Sequence, residues 1–148
     1  MNHPRIATCS GLLAIVLLAG CSMTPMMPAA SPMVARLSGD NEVPSVPTSG
    51  SGTAEVSFDR QSKVLSWTIT YSGLTGPATG AHFHGPAMMN ENAGVVVPLT
   101  GSLVSPITGS ATLTEPQAAD LTAGKWYFNV HTSAHPGGEI RGQVNASR

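Results

Sequence analysis

Residues 63–71 (KVLSWTITY) alternate apolar and polar side chains. Leu65, Trp67, Ile69 and Tyr71 would share one face of a strand, and the serine and threonines between them would share the other. A period of two does not fit a helix, so this segment predicts a half-buried β-strand. The 16 glycines and 12 prolines among 148 residues favour short strands separated by turns.

Several other segments have the same character. Further strands are predicted at residues 34–37, 52–58, 79–84, 94–99, 103–113, 125–132 and 139–144. One helix is expected near residues 114–122, because Thr114 precedes Gln117 at the capping-box spacing and Gly124 is placed to end it. This pattern predicts an all-β sandwich or barrel with one short helix.

The N-terminal segment has the features of an export signal. Residues 11–19 are apolar, follow Arg5 and are too few to span a bilayer. Small residues then lead to Cys21, an order that resembles the lipobox of bacterial lipoproteins. We therefore expect a signal peptide over residues 1–20, a lipidated Cys21 and a cell-envelope location. By resemblance to Gram-negative lipoproteins, Ser22 favours the outer membrane, facing the periplasm or the surface.

The segment after Cys21 differs from the rest of the chain. Residues 21–33 are rich in proline and methionine, which predicts an extended tether before a single domain at 34–148. Cys9 leaves with the signal peptide and acylation would consume Cys21, so no disulfide is expected within the mature chain. Removal of Arg5 leaves six basic and eight acidic side chains, and this balance argues against nucleic acid as a partner.

The four histidines of the mature chain fall into two clusters. His82 and His84 are two residues apart on a predicted strand, so they share a face while Phe83 points to the core. His131 ends a second strand, on its more polar side, and His135 follows in a turn. Three or four imidazoles suit copper or zinc, if the two clusters converge. The alternative is that these histidines only hydrogen-bond to the backbone.

Other polar residues add to this hypothesis. Met88 and Met89 follow the first cluster and are candidate soft ligands, which favours copper over zinc. Glu139 and Arg141 alternate with Ile140 on the last strand. They would form a surface ion pair or line the site that the histidines form. No serine lies in a nucleophile motif, and we assign no catalytic residue.

Four sequence blocks occur in order along the chain: residues 37–44 (LSGDNEVP), 80–86 (GAHFHGP), 120–121 with 124–131, and 136–143 (PGGEIRGQ). Together they resemble the CHRD domain, a module named after chordin. The resemblance extends from about Val34 to Val144 and implies an immunoglobulin-like, Greek-key β-sandwich. Chordin is an extracellular protein that binds growth factors, but a shared fold does not transfer that role to this chain.

A weaker resemblance is to copper-zinc superoxide dismutases. Their copper ligands include a His-x-His strand pair and a later histidine, and an arginine near the C-terminus guides the anion. His82, His84, His131 and Arg141 occur in that order here. No histidine lies between His84 and His131, so the bridging ligand and zinc subsite have no counterpart. The resemblance thus implies copper binding more strongly than dismutase activity.

These observations leave three functions open. The first is a lipid-anchored protein of the cell envelope that binds copper for metal handling or protection. The second is a metal-free module that binds a protein or glycan with its loops. The third is a copper-only superoxide dismutase, which needs an open coordination position and Arg141 beside it.

Overall fold

The computed structural model describes residues 30–147. Within this range the chain forms nine β-strands, one α-helix and a 3-10 turn at Gly39–Asn41, which confirms the all-β prediction. The strands are β1 (Ser31–Ser38), β2 (Ser51–Asp59), β3 (Val64–Ser72), β4 (Ala78–His84), β5 (Val95–Pro98), β6 (Ile107–Thr112), β7 (Tyr127–Thr132), β8 (Ile140–Gln143) and β9 (Asn145–Ala146). The helix α1 spans Glu115–Thr122.

The strands form one antiparallel sheet in the order β5-β4-β7-β8-β1-β2-β3-β6, and β9 pairs with β1. The sheet curls until its two halves face each other. Trp67 of β3 packs against Phe83 of β4, and their ring centroids are 5.4 Å apart. At the seam between β8 and β1, a methyl group on Gly142 would come within 2.3 Å of the Arg36 carbonyl oxygen, so only glycine fits. The result is a sandwich-like, nearly closed barrel.

The core lies between the two halves of the sheet. Leu65, Trp67 and Ile69 are buried, as the alternation predicted. Phe83 and Phe128 are fully buried on the opposite half, with their ring centroids 4.9 Å apart. Burying a side chain of this size stabilises the fold by about 1.5–3 kcal/mol. The core therefore fixes the register of β4 and β7, the strands that carry the histidines.

The predicted helix is present and begins with the expected capping box. Thr114 Oγ1 accepts from the Gln117 backbone N–H, and Gln117 Oε1 accepts from the Thr114 backbone N–H. Ala118 and Leu121 bury one face of the helix. Gly124, with φ of +72°, follows the helix in the left-handed region that favours glycine.

Two strands begin three or more residues from their predicted starts, and one short strand was not predicted. β1 begins at Ser31, three residues before the predicted start, and its Met33 is buried. β6 begins at Ile107 rather than at residue 103, because Pro106 has no N–H to donate to a neighbouring strand. The short strand β9 was not predicted; it pairs with Met33 and Val34 of β1.

Some predictions concern residues outside the described range. The signal peptide (1–20), the lipidated Cys21 and most of the tether (21–33) lie there, and they stay predictions. Within residues 30–147, no helix is both long enough and apolar enough to cross a membrane.

Candidate metal centre

Three neighbouring strands present a polar face on the side of the sheet away from the core. β7 lies between β4 and β8, and its Asn129 pairs with His82 on one side and with Arg141 on the other. Two residues further along the same pair of strands, His84 of β4 pairs with Tyr127 of β7. Directly opposed residues of antiparallel strands share a face, so the register gathers these side chains into one patch.

His82, His84 and His131 converge in this patch. One ring nitrogen from each lies within 4.8 Å of the other two. Nitrogens bound to one ion at about 2.0–2.1 Å are at most about 4.1 Å apart, so a small rotation of the rings would bring all three to bonding distance. The structure thus brings together the first cluster and one member of the second, as the metal hypothesis required.

The ring of His84 has one nitrogen free for a metal. Its Nδ1 lies 2.9 Å from the Ala93 carbonyl oxygen, so Nδ1 carries the proton and donates it. Its Nε2 is buried and has no hydrogen-bond partner among the described residues. The ring stacks on Tyr127, with centroids 4.7 Å apart and planes 1° from parallel. A buried lone pair without a donor is costly, and a cation would satisfy it.

His131 is held in the same way. Its Nδ1 lies 2.9 Å from the carbonyl oxygen of Pro136, which places the proton on Nδ1. Its Nε2 lies 3.0 Å from His82 Nδ1 and 2.9 Å from Asn129 Oδ1. A backbone carbonyl that accepts from the distal ring nitrogen is a common outer-shell contact of metal-binding histidines.

The surroundings keep the three rings neutral. Burial lowers the pKa of His82, and the nearby rings of His131 and His84 lower that pKa further. Burial likewise lowers the pKa of His84 and of His131, although the carbonyls of Ala93 and Pro136 act in the opposite direction. Neutral imidazole is the form that binds a metal, so the cluster is prepared for binding at neutral pH.

The other predicted ligands lie apart from this cluster. His135 is in the turn after β7, where its backbone N–H donates to the Thr132 carbonyl, and it does not join the three rings. Met88 and Met89 are 54% and 66% exposed on the loop after β4. Their proposed part as soft ligands is therefore not supported by contact with the histidines.

Arg141 is buried, and the prediction of a surface ion pair with Glu139 is wrong. Its guanidinium donates to Asn92 Oδ1 and to the Glu91 carbonyl oxygen, and it lies 3.5 Å from the centroid of the Tyr127 ring. Residues 85–94, here named the covering loop, lie over this part of the sheet and leave Arg141 only 2% exposed. The role of Arg141 in guiding an anion stays a prediction.

Glu139 lies outside the histidine cluster and has a structural role. Its carboxylate accepts hydrogen bonds from the Thr48, Thr75 and Thr132 hydroxyls at 2.6–2.7 Å and from the Thr75 backbone N–H at 2.8 Å. Burial alone would raise its pKa, but these hydrogen bonds together lower the pKa to about 2. The Glu139 carboxylate therefore stays charged and connects the loops of Thr48 and Thr75 to Thr132 of β7.

Two buried residues of the polar face were missed. Asn129 is 2% exposed beside the rings, and Glu42 is 7% exposed with an Oε1 atom that lacks a partner among the described residues. Burial raises the Glu42 pKa to about 7, against the lowering effects of Arg141, the Val43 backbone and Asn129. Glu42 lies in the first block of the CHRD resemblance, and this was the only available signal.

Comparison with known proteins agrees with the fold. The family model of the CHRD domain matches residues 33–144. No curated protein and no solved structure matches the chain. The family match includes all three converging histidines and covers well over half of the 148 residues. The chain therefore belongs to the CHRD domain family.

Proposed function

We propose that this protein is a lipid-anchored metal-binding protein of the cell envelope, which holds one copper ion through His82, His84 and His131. The observation that carries the proposal is the buried His84 Nε2, which has no partner among the described residues and faces two further imidazoles. Three neutral nitrogens on rigid strands, with the outer contacts of His84 and His131 already made, form a prepared site rather than a chance cluster.

Copper is favoured by the chemistry of the donors. Imidazole suits both copper and zinc, and Cu²⁺ binds more tightly than Zn²⁺ to a given set of nitrogen ligands. Structural zinc sites usually contain thiolates, whereas the two cysteines of this chain both lie in residues 1–21.

The start of β1 and the histidines lie towards opposite ends of the sheet. The described chain enters β1 at Ser31, whereas the row of His82, Asn129 and Arg141 continues to Ser38 at the other end of β1. Eight residues of extended strand span about 24 Å. A chain held by Cys21 would therefore direct its metal site away from the membrane and toward the surrounding solution.

Metal analysis tests the central part of this proposal. The full-length protein, purified without a histidine tag and dialysed against Cu²⁺ or Zn²⁺, should retain close to one copper per chain by mass spectrometry. It should prefer copper in a mixture of the two. Absence of retained metal at micromolar concentrations would overturn the proposal and leave the metal-free binding module as the better account.

The anchor requires its own test. Cells expressing the chain should incorporate radiolabelled palmitate into it, and the protein should fractionate with membranes. Cys21→Ala should lose both properties, whereas Cys9→Ala, which changes a cysteine inside the signal segment, should keep them. Equal labelling of the two variants would rule out lipidation at Cys21.

The dismutase alternative gains less support from the geometry. It needs Arg141 beside an open coordination position, yet Arg141 is 2% exposed and its guanidinium is engaged by the covering loop and by Tyr127. A buried arginine with its donors occupied is a poor guide for a diffusing anion. Binding is therefore the function that we propose.

A further inference from the structure

Asn129 occupies the middle of the histidine cluster. It pairs directly with His82 across β4 and β7, and it precedes His131 by two residues on the same face. Its Oδ1 lies 2.9 Å from His131 Nε2, and its side chain also faces His84. The carbonyl oxygen of this buried amide is therefore directed at the space between the ring nitrogens.

His131 Nε2 faces the Asn129 amide oxygen without a proton to share with it. His131 Nδ1 donates its proton to Pro136, so a neutral ring leaves only a lone pair on Nε2. That lone pair faces Asn129 Oδ1, which also only accepts. His82 Nδ1 lies 3.0 Å from Nε2 and can donate to it, but this still leaves the acceptor Oδ1 2.9 Å from Nε2 with no proton between the two atoms. A metal ion between them and the other rings would bond to both.

Glu42 lies beside the nitrogen end of the amide. A methyl group on Gly138 would come within 2.3 Å of Glu42 Oε1 and 2.8 Å of Asn129 Nδ2, so both atoms lie close to the Cα of Gly138. The amide nitrogen thus faces a carboxylate, and the amide oxygen faces the rings. The opposite orientation would place Oδ1 against the Glu42 carboxyl, and when that carboxyl is ionised both groups are acceptors and repel each other.

We infer that Asn129 Oδ1 is a fourth metal ligand, which completes a site of three nitrogens and one oxygen and makes it selective for Cu²⁺ over Cu⁺. This inference rests on the proposed histidine site. An amide oxygen is a hard donor, which divalent ions accept and the soft Cu⁺ does not.

Replacement of the oxygen by an apolar group of similar size tests this inference. The full-length Asn129→Leu protein should bind Cu²⁺ about 10- to 100-fold more weakly, whereas its Cu⁺ affinity should change by less than about threefold. Both affinities are measured by competition with chelators, anaerobically for Cu⁺. Each tenfold selective loss corresponds to a rise of about 59 mV in the reduction potential of the bound copper.

Matched variants separate a ligand from a positioning residue. Gln143→Leu removes an amide that donates to the carbonyl oxygens of Ala87 and Gly124, and it should leave both copper affinities unchanged. The double variant Asn129→Asp with Glu42→Gln keeps the net charge and returns an oxygen to position 129, so it should restore Cu²⁺ binding. If circular dichroism shows that Asn129→Leu is unfolded, Asn129→Ala replaces it with the same expected selectivity.

Three outcomes overturn the inference. Equal losses of Cu²⁺ and Cu⁺ affinity would mean that Asn129 only positions His131. Unchanged affinities would mean that it does not contact the metal. Failure of the double variant to recover Cu²⁺ binding would show that the oxygen is not the important group. Failure of the histidine site itself is distinct, because the wild-type protein would then bind neither copper state.

Discussion

His82 Nδ1 lies 3.0 Å from His131 Nε2, although 49 residues separate the two histidines in the chain. The contact arises because β4 and β7 pair along their length, with Gly80 opposite His131 and His82 opposite Asn129. With His84 as the third member, it turns two separate histidine clusters into one site. The predictions below test this site and the buried charges that support it.

Copper affinity should depend on His131 but not on His135. His131→Ala removes one of three converging nitrogens and should lower copper affinity at least tenfold, whereas His135→Ala should change it by less than about twofold. Isothermal titration calorimetry of both variants makes the comparison. A similar loss in the two would show that the turn histidine also binds and that the assignment of three ligands is incomplete.

Gly138 should be required for both folding and binding. Its φ of +127° suits glycine, and a side chain there would contact Glu42 and Asn129. Gly138→Ala should cost about 1–3 kcal/mol in the free energy of unfolding and weaken copper binding. Gly137→Ala is the matched control, because a methyl group there meets nothing within 4 Å. Urea denaturation that gave equal costs would contradict this prediction.

Glu139 should stabilise the fold except in acid. Its folded pKa of about 2 lies below its ordinary value of 4.5, so the charged form is favoured by folding. Its contribution, on the order of 3 kcal/mol, should be complete above pH 4.5 and lost as the pH falls toward 2. Urea unfolding should show Glu139→Gln destabilised at pH 7 and much closer to wild type at pH 3. A difference independent of pH would refute the buried charge.

Glu42 should affect stability in the opposite direction to Glu139, so that its charged form destabilises the fold. Its folded pKa of about 7 lies above the ordinary 4.5, so folding favours the protonated form and stability falls as the pH rises between these values. In metal-free protein at pH 8, Glu42→Gln should increase the free energy of unfolding by about 1–3 kcal/mol. At pH 4 the two proteins should be nearly equal. A destabilised variant at pH 8 would mean that the Glu42 charge is well compensated by Arg141.

Much of the fold could be predicted from local patterns. The alternation around Trp67 and the Thr114–Gln117 capping box each act over a few residues, so the sequence alone specifies β3 and α1. The pairing of His82 and His84 on one face follows from the period of a strand in the same way. The start of β1 at Ser31 was harder to predict, because its Pro32 and Met33 have the composition of the tether before it.

The rest of the candidate site depends on contacts between residues that are far apart in the sequence. His131 joins the site through the register of β4 against β7, which no local pattern gives. Arg141 was expected at the surface, but the covering loop buries it through Asn92 and the Glu91 carbonyl. Asn129 and Glu42 were missed because an amide or a carboxylate in a strand or loop has no distinctive spacing. Their importance comes from burial, which appears only in three dimensions.

The most direct test of the central claim is an equilibrium titration with Cu²⁺ and Cu⁺. Full-length wild type is compared with the His82→Ala/His84→Ala double variant. Wild type should bind close to one copper per chain, and the double variant should bind none at micromolar metal. Its circular dichroism should be unchanged, because both histidines lie opposite the buried Phe83. Equal copper binding by the two proteins would contradict the histidine site.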